Sequence, residues 1–380
     1  MAGKNEKPGL SVGLAGVVIA ESTISLVDGE AGKLYYRGYR IEDLAQNCSF
    51  EEVTYLLLYE KLPNRKELDA FVNELRRRRT LPDHIVKMMK SYAKHMNTME
   101  ALRTTVSALA AGDPDASKVS YEDNLQNGIG LIAKFPTIVA YHHRLKQGKS
   151  VVQPNSKLGF AANFLYMLTG KVPDEMSVRA MDMDFVLHAE HSFNASTFGV
   201  RVTVSTLSDM HSALTTGVGI LKGPLHGGAA QEVMHMLREI KTPKNARKYV
   251  MDALAKHTLI MGYGHRVYKV YDPRARVLKK TATDLSRIKH NMKYMQIADI
   301  LEDVMSREKN IYPNVDFYSS IVYHALGLPL ELDTPIFAIA RSSGWVAHAL
   351  AQYKNNKLIR PLDRYVGPID LKFVPIDMRP

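Results

Sequence analysis

The chain has 380 residues, 46% of them hydrophobic, with a formal net charge of +11, which is enough apolar material for a large core and about two domains of ordinary size. Cys48 is the only cysteine, so an internal disulfide and a multi-cysteine zinc site are excluded, and the longest apolar run, residues 12–20, contains glycines and is far too short to span a bilayer. The excess positive charge favours anionic partners, whether nucleic acid, acidic lipid or a phosphorylated small molecule, without choosing among them.

In chain order, residues 1–9 carry lysines but are followed by no long apolar segment or small-residue cleavage site, so a cytoplasmic protein is expected. Ile24 and Leu26 alternate with Thr23 and Ser25, and Asp28-Gly29 supplies turn chemistry before residues 33–36, the pattern of a small hairpin. Helical signals then take over. Ser49 and Glu52 stand at capping-box spacing before the apolar run 53–59, and Pro63 ends that helix. Asn64 and Glu67 repeat the signal, with Leu68, Phe71, Val72 and Leu75 on one face. The run Arg76-Arg77-Arg78-Arg79 ends this helix, where cations suit the negative end of the helix dipole; a solvated helix end and a nucleic-acid patch are the two readings. A further helix follows Ser156, with Leu158, Ala161, Ala162, Leu165 and Leu168 on its apolar side and Gly170 as its stop. The pattern continues over 251–260, 293–305, 321–326 and 334–353, with few alternating β-branched runs, no fixed-period repeat and no long Ser/Gly linker. The fold class is therefore all-α, and two domains would be packed together or built from discontinuous chain. The 18 methionines suit adaptable core filling more than metal ligation.

Several common signatures fail. Gln147-Gly148-Lys149-Ser150 imitates the end of a P-loop, but His143 stands where its first glycine belongs. Gly262-x-Gly264 lacks the third glycine of a dinucleotide fingerprint, its place being taken by Val267. His188 and His191 have helical i, i+3 spacing, yet no completing ligand pattern accompanies them, so no metal site is assigned.

Three other segments carry chemistry. In Gly223-Pro224-Leu225-His226-Gly227-Gly228, proline and glycines break the chain just before a helical stretch from Ala229; the helix dipole there favours a neutral imidazole that donates to a carbonyl oxygen, the alternative being a buried histidine in a tight turn. Residues 262–274 set Gly262, Gly264 and His265 beside Lys269 and Arg274, so that backbone can approach a flat or phosphorylated ligand and Arg274 can clamp a carboxylate; a solvated basic loop is the alternative. Asp316 follows Pro313-Asn314-Val315 and is either a helix cap or a base for a proton next to a carbonyl, which works only if that carbonyl is polarised, as His226 could do.

Taken together these segments resemble the citrate synthase family. Gly262-Tyr263-Gly264-His265 through Asp272-Pro273-Arg274 matches its most diagnostic motif, joined in order by Asp28-Gly29, Tyr36-Arg37-Gly38-Tyr39, His191 with Asn194-Ala195-Ser196, the His226 segment, Pro313 to Asp316, Arg341 in Ala340-Arg341-Ser342-Ser343-Gly344-Trp345, and Leu358-Ile359-Arg360-Pro361. The departure is Ser192-Phe193 after His191, where many members have an acidic residue and a different neighbour. What the resemblance implies is an almost wholly helical homodimer of the short prokaryotic type, with a large domain (1–220 and 331–380) and a small domain (221–330) closing over the substrates. It implies further that Asp316 deprotonates acetyl-CoA, His226 hydrogen-bonds the thioester oxygen and His265 polarises and protonates the ketone of oxaloacetate. His191, Arg274, Arg341 and, from the second subunit, Arg360 would hold the oxaloacetate carboxylates. Ile260, Met261, Gly262, Tyr263 and Gly264 would meet the CoA adenine, and Lys269 and Lys309 its phosphates. Acetyl-CoA would be a substrate and no cofactor is implied. A 2-methylcitrate synthase using propionyl-CoA is the near alternative, because a pocket separates substrates differing by one methylene by only about 1–3 kcal/mol. A basic helical nucleic-acid-binding or scaffold protein is the alternative from another class; it leaves His226, His265 and Asp316 without a task.

Overall fold

A computed structural model describes residues 11–14, 16–118 and 120–380; the lysine-bearing stretch 1–9 lies outside them. The hairpin forms where the alternation and the Asp28-Gly29 turn place it, as β1 (Ser25–Asp28) and β2 (Lys33–Tyr36), and β3 (Tyr39–Arg40) adds to the far edge of β2 in a wholly antiparallel sheet. Ile24 is buried, whereas Leu26 is exposed, so the two members of the apolar alternation have different fates.

Helices make up nearly all the rest. After the short α1 (Ile41–Asn47), α2 (Phe50–Tyr59) and α3 (Arg65–Arg78) both begin with complete capping boxes, Ser49 with Glu52 and Asn64 with Glu67, each cap being worth about 1 kcal/mol. On α3 only Phe71 and Leu75 of the apolar stripe are fully buried. The arginine run at its end is solvated only in part: the exposed Arg77 and the half-buried Arg78 pair with Glu74, Arg78 also bonds Gln126, and Arg79 is buried against the carbonyls of Asn155 and Leu158. Next come α4 (Asp83–Tyr92), α5 (Thr98–Leu109) and α6 (Tyr121–Lys146). The last is buried along most of its length despite the internal Pro136, and that proline is what interrupts it as a sequence pattern.

α7 (Phe160–Thr169) starts later than the serine at 156 suggests, and it ends on Gly170 in the left-handed conformation. α8 (Glu175–His188) stops at His188, so His191 is not one helical turn further along the same face but lies in the connection to α9 (Ala195–Ser205). α10 (Met210–Leu221) and α11 (Ala229–Ile240) flank the glycine-rich loop carrying His226. α12 (Pro243–Ala255) ends before residue 260, because the chain must turn out into the Gly262–Gly264 loop ahead of α13 (Pro273–Ile288). α14 (Lys293–Lys309) is followed by α15 (Val315–Ala325), which begins at Val315 and so contains Asp316 in its first turn. α16 (Asp333–Lys354) packs against α6, α8, α9 and α10 and buries Trp345 and Arg341 almost completely. α11 and α13 both pack on α15, and α12 packs on α14. No helix among the described residues is long and apolar enough to cross a membrane.

Candidate active site

A cavity of about 640 Å3 opens where the hairpin, the α8–α9 connection, the first residues of α15, the middle of α16 and the loops before α11 and α13 meet; His191, His226, His265, Arg274, Asp316 and Arg341 all line it. Residues 9 to 150 positions apart in sequence are thus brought to one surface by packing.

Two loops are zipped together to set the distance between His265 and Asp316. Gly264 donates its N–H to the carbonyl of Tyr312 (3.0 Å), Asn314 donates its own to Gly262 (2.8 Å), and the Asn314 side-chain amide donates to the carbonyl of Gly264 (3.1 Å). Gly262 and Gly264 have φ of +79° and +80°, a conformation that costs other residues free energy. A Cβ at Gly262 would also stand 2.6 Å from the Val233 side chain and 2.9 Å from that of Phe317. The hairpin braces the same loop: the Lys269 N–H donates to the carbonyl of Gly29 (2.9 Å), and Val267 lies so close that a Cβ on Gly29 would overlap its carbonyl.

The imidazole of His265 accepts at Nδ1 from the backbone N–H groups of Val267 (2.9 Å) and Tyr268 (3.1 Å). An Nδ1 with two donors carries no proton, so the neutral ring holds its hydrogen on Nε2. Burial, with the Arg274 charge adding to it, lowers the His265 pKa to about 4, so this neutral donor persists at neutral pH. His191 lies with its ring 5.2 Å from that of His265, and its Nε2 is 3.3 Å from the Tyr268 hydroxyl. Burial and then Arg274 hold its pKa well below the usual value.

His226 is likewise held neutral, its pKa lowered to about 4 by burial and then by Arg341. Its Nε2 is 2.9 Å from Ser196 Oγ, which also accepts from Trp345 Nε1 (3.1 Å) and lies 2.8 Å from Asn194 Oδ1. The single hydroxyl proton of Ser196 can serve Asn194 or His226, and the choice sets the tautomer of the imidazole. Ser196 entered the sequence reading only as part of a motif; nothing in its local sequence distinguishes a serine aimed at a histidine thirty residues away.

Asp316 does not cap its helix. Asn314 does, accepting from the Asp316 N–H at 3.1 Å. The Asp316 carboxyl therefore borders the cavity, its pKa raised by burial against the opposing pull of His188 and Arg274. Arg341 donates from Nε to the carbonyl of His188 (2.8 Å), and its guanidinium lies 4.8 Å from the centre of the Phe337 ring, which lines the cavity. Arg274 is engaged on one edge by Asp272, at 3.1 Å from Nε and 2.8 Å from the outer nitrogen. That pair was not foreseen; it fixes the guanidinium and leaves only its other edge for a ligand carboxylate.

Of the remaining residues singled out from sequence, only Gly264 lines the cavity. Ile260 and Gly262 are buried, Met261 and Tyr263 half-buried, and Lys269 and Lys309 exposed. Arg360 lies exposed in the segment after α16, outside the cavity of its own chain. No group of three or more His, Cys, Asp or Glu side chains among the described residues could hold a metal ion.

This arrangement can hold a small polycarboxylate on His191, Arg274 and Arg341, donate a hydrogen bond from a neutral His265, and place a carboxylate base beside a second neutral imidazole. Residues 13–362 match the family profile described as citrate synthase, C-terminal domain. The citrate synthase of Haloferax volcanii is 45% identical over 97% of this chain and 99% of its own. The crystal structure of citrate synthase from Pyrobaculum aerophilum superposes with a TM-score of 0.92 at 42% identity, covering 97% of this chain and 95% of that one. The citrate synthase of Thermoplasma acidophilum, solved as a ternary complex with carboxymethyl coenzyme A and oxaloacetate, superposes with a TM-score of 0.91 at 34% identity, covering 98% of this chain and all of that one. Proteins named 2-methylcitrate synthase are more distant, one from Corynebacterium glutamicum being 40% identical over 97% of this chain and 98% of its own length. A site with this composition, carried on a fold matched over nearly its whole length, makes the chain a member of the citrate synthase family.

Proposed function

We propose that the protein is an acyltransferase of the EC 2.3.3 class that condenses acetyl-CoA with oxaloacetate and water to give citrate and CoA. The observation that carries this reading is the convergence of a carboxylate base and two neutral histidines on one cavity that also presents two buried arginines. Asp316 takes a proton from the methyl group of the thioester while His226 hydrogen-bonds the thioester oxygen, so that the negative charge never develops on an unsupported oxygen. For that role Ser196 gives its proton to His226 Nε2, leaving Nδ1–H for the substrate. The enol carbon attacks the ketone carbon of oxaloacetate, whose oxygen receives the Nε2 proton of His265. Water then cleaves the citryl thioester to release CoA and citrate. His191, Arg274 and Arg341 orient the two carboxylates.

Residues 260–264 would meet the adenine of CoA, and Lys269 and Lys309 its phosphates. The small domain, residues 221–330, would close over both substrates, since enolisation needs a dry site. The chain would work in the cytoplasm as a homodimer. Ile359 is tied to Ser205 at the far end of α9 from Ala195, which lines the cavity; eleven helical residues put about 15 Å between those ends. Arg360 is therefore better placed to serve a second copy than its own site, and the exposed Leu362, Val366 and Phe373 nearby favour a covering partner.

The test is release of free CoA thiol from acetyl-CoA and oxaloacetate, repeated with propionyl-CoA. A higher kcat/KM with acetyl-CoA is expected; a preference for propionyl-CoA would make 2-methylcitrate the product, and no thiol release from either donor would end the reading.

A further inference from the structure

A second cavity, of about 870 Å3, lies behind the first between the start of β1, the ends of α2 and α16, and α9. Its charged lining residues are Glu21, Arg37, Glu60, Arg201 and Lys354. Arg37 is served at both outer nitrogens: it donates to Thr23 Oγ1 (2.7 Å) and the carbonyl of Leu57 (3.0 Å) and pairs with Glu60 at 3.5 Å, and only its Nε is unbonded among the described residues. Glu21 and Lys354 are exposed. Arg201 differs. It is only 5% exposed, its Nε has no hydrogen-bond partner among the described residues, and its one protein hydrogen bond is a long one, 3.4 Å to the carbonyl of His348. The nearest carboxylate, Glu190, spends one oxygen on Ser25 (2.9 Å) and His348 (2.9 Å). A guanidinium taken this far out of water with Glu190 attracting it but no carboxylate hydrogen-bonded to it is costly, and the fork it presents matches a carboxylate or phosphate.

Arg201 also touches the substrate cavity through a single ring. Its guanidinium lies 4.7 Å from the centre of Phe193, which lines the first cavity and packs at 5.3 Å against His348. His348 in turn holds Glu190, the residue before His191.

We propose that this second cavity is an oxyanion site, in which Arg201, assisted by Lys354, binds a small free carboxylate or phosphate, and that occupancy is felt in the substrate cavity through Phe193. An anion drawn to Arg201 competes with the face of the Phe193 ring for the guanidinium, so the ring beside His191 is released or reset. The ligand is a small acidic metabolite rather than an uncharged one, because among the described residues the buried side-chain polar atoms left unbonded in the cavity lining are the Nε atoms of two arginines, Arg37 and Arg201.

The test titrates inorganic phosphate and pyrophosphate calorimetrically into the full chain held at saturating oxaloacetate and low ionic strength, so that the arginines of the substrate cavity are occupied. One saturable site is expected, weakened about tenfold or more in Arg201→Gln, the loss of a charge-assisted pair, and about two- to fivefold in Lys354→Gln, which removes a screened surface charge. In the wild type the KM for oxaloacetate should move with phosphate, and in Arg201→Gln it should stay flat while the thermal midpoint is preserved. Should Arg201→Gln fail to fold, the Lys354→Gln titration decides. Absence of a saturable heat, or equal affinity in wild type and both variants, overturns the proposal. So does a solved dimer in which an acidic side chain of the second copy already sits on the Arg201 guanidinium.

Discussion

The two walls of the substrate cavity are built differently. One is the wall of α16 and the α8–α9 connection, where Arg341 and His191 are buried among helices that belong to the main packing of the protein. The other is a wall of loops, where His265 is held by backbone hydrogen bonds and the left-handed Gly262 and Gly264, and His226 by Ser196, against the core-packed first turn of α15. Leu225, beside His226, is almost fully exposed. The contrast teaches that the groups which hold charge are fixed by the interior, while those which move protons sit where small changes of backbone are cheapest. Carboxylate recognition needs desolvated, rigid arginines; proton transfer across a closing site needs parts that can be brought together last.

The largest expected effect breaks the loop wall chemically and leaves the helix wall intact. Asp316→Ala should lower kcat by about a thousandfold, the usual worth of a general base, with oxaloacetate binding unchanged by calorimetry; near-normal turnover would remove Asp316 from the mechanism. The opposite result is expected on the helix wall, where Arg341→Ala should raise the KM for oxaloacetate by about 10- to 100-fold through loss of charge-assisted hydrogen bonds. Arg274→Ala is a poorer probe, since it strands the buried Asp272 carboxylate and so confounds binding with stability.

A third experiment tests the backbone of the loop wall. Gly262→Ala forces a side chain into a left-handed position and against Val233 and Phe317, at a cost of about 1–3 kcal/mol. It should reduce kcat more than it raises the KM for oxaloacetate; equal effects on both would mean that the two walls are not separable. The pH profile sharpens the same point. His226 and His265 both have depressed pKa values and stay neutral above about pH 4, while burial raises that of Asp316. Activity should therefore show one acid limb, from protonation of the base, displaced upward from the ordinary aspartate value, with no second limb at the ordinary histidine value. A histidine limb in kcat/KM near that value would contradict the neutral assignments.

A separate effect is on stability rather than on turnover. Asp333, at the start of α16, is buried with neither oxygen bonded among the described residues. Burial, with Asp184 and then Asp316, raises its pKa to about 8. A folded-state pKa raised above the unfolded one means that the native state binds the extra proton between the two values, so stability is full below the unfolded pKa and is lost as pH rises towards 8. Asp333→Asn should remove that loss, so the wild-type minus variant difference in unfolding free energy should fall with rising pH over this window; a flat difference would show that Asp333 ionises equally in both states.

Legibility in the sequence followed the range of the forces involved. The capping boxes of α2 and α3, the Gly170 stop and the hairpin turn act within a few residues, and each stands where the local pattern puts it. The length of α6 through Pro136 was not legible, because tertiary burial overrides a local helix breaker. The arginine run misled for the same reason: Arg78 and Arg79 find partners 48 and 76 residues away. The motif residues of the site were recognisable as motifs, yet the Ser196–His226 contact, the Asp272 clamp on Arg274 and the isolated Arg201 had no signal in the sequence.

The sequence by itself determined which residue types could carry this chemistry, where several helices begin, and where glycine must bend the chain, because those depend on local sterics and hydrogen bonding. Only the tertiary structure decided that six side chains share one cavity, which nitrogen of His265 keeps its proton, and which buried arginines keep an unbonded Nε. Those properties are set by distance and desolvation between segments far apart in the chain, and neither quantity exists until the helices have packed.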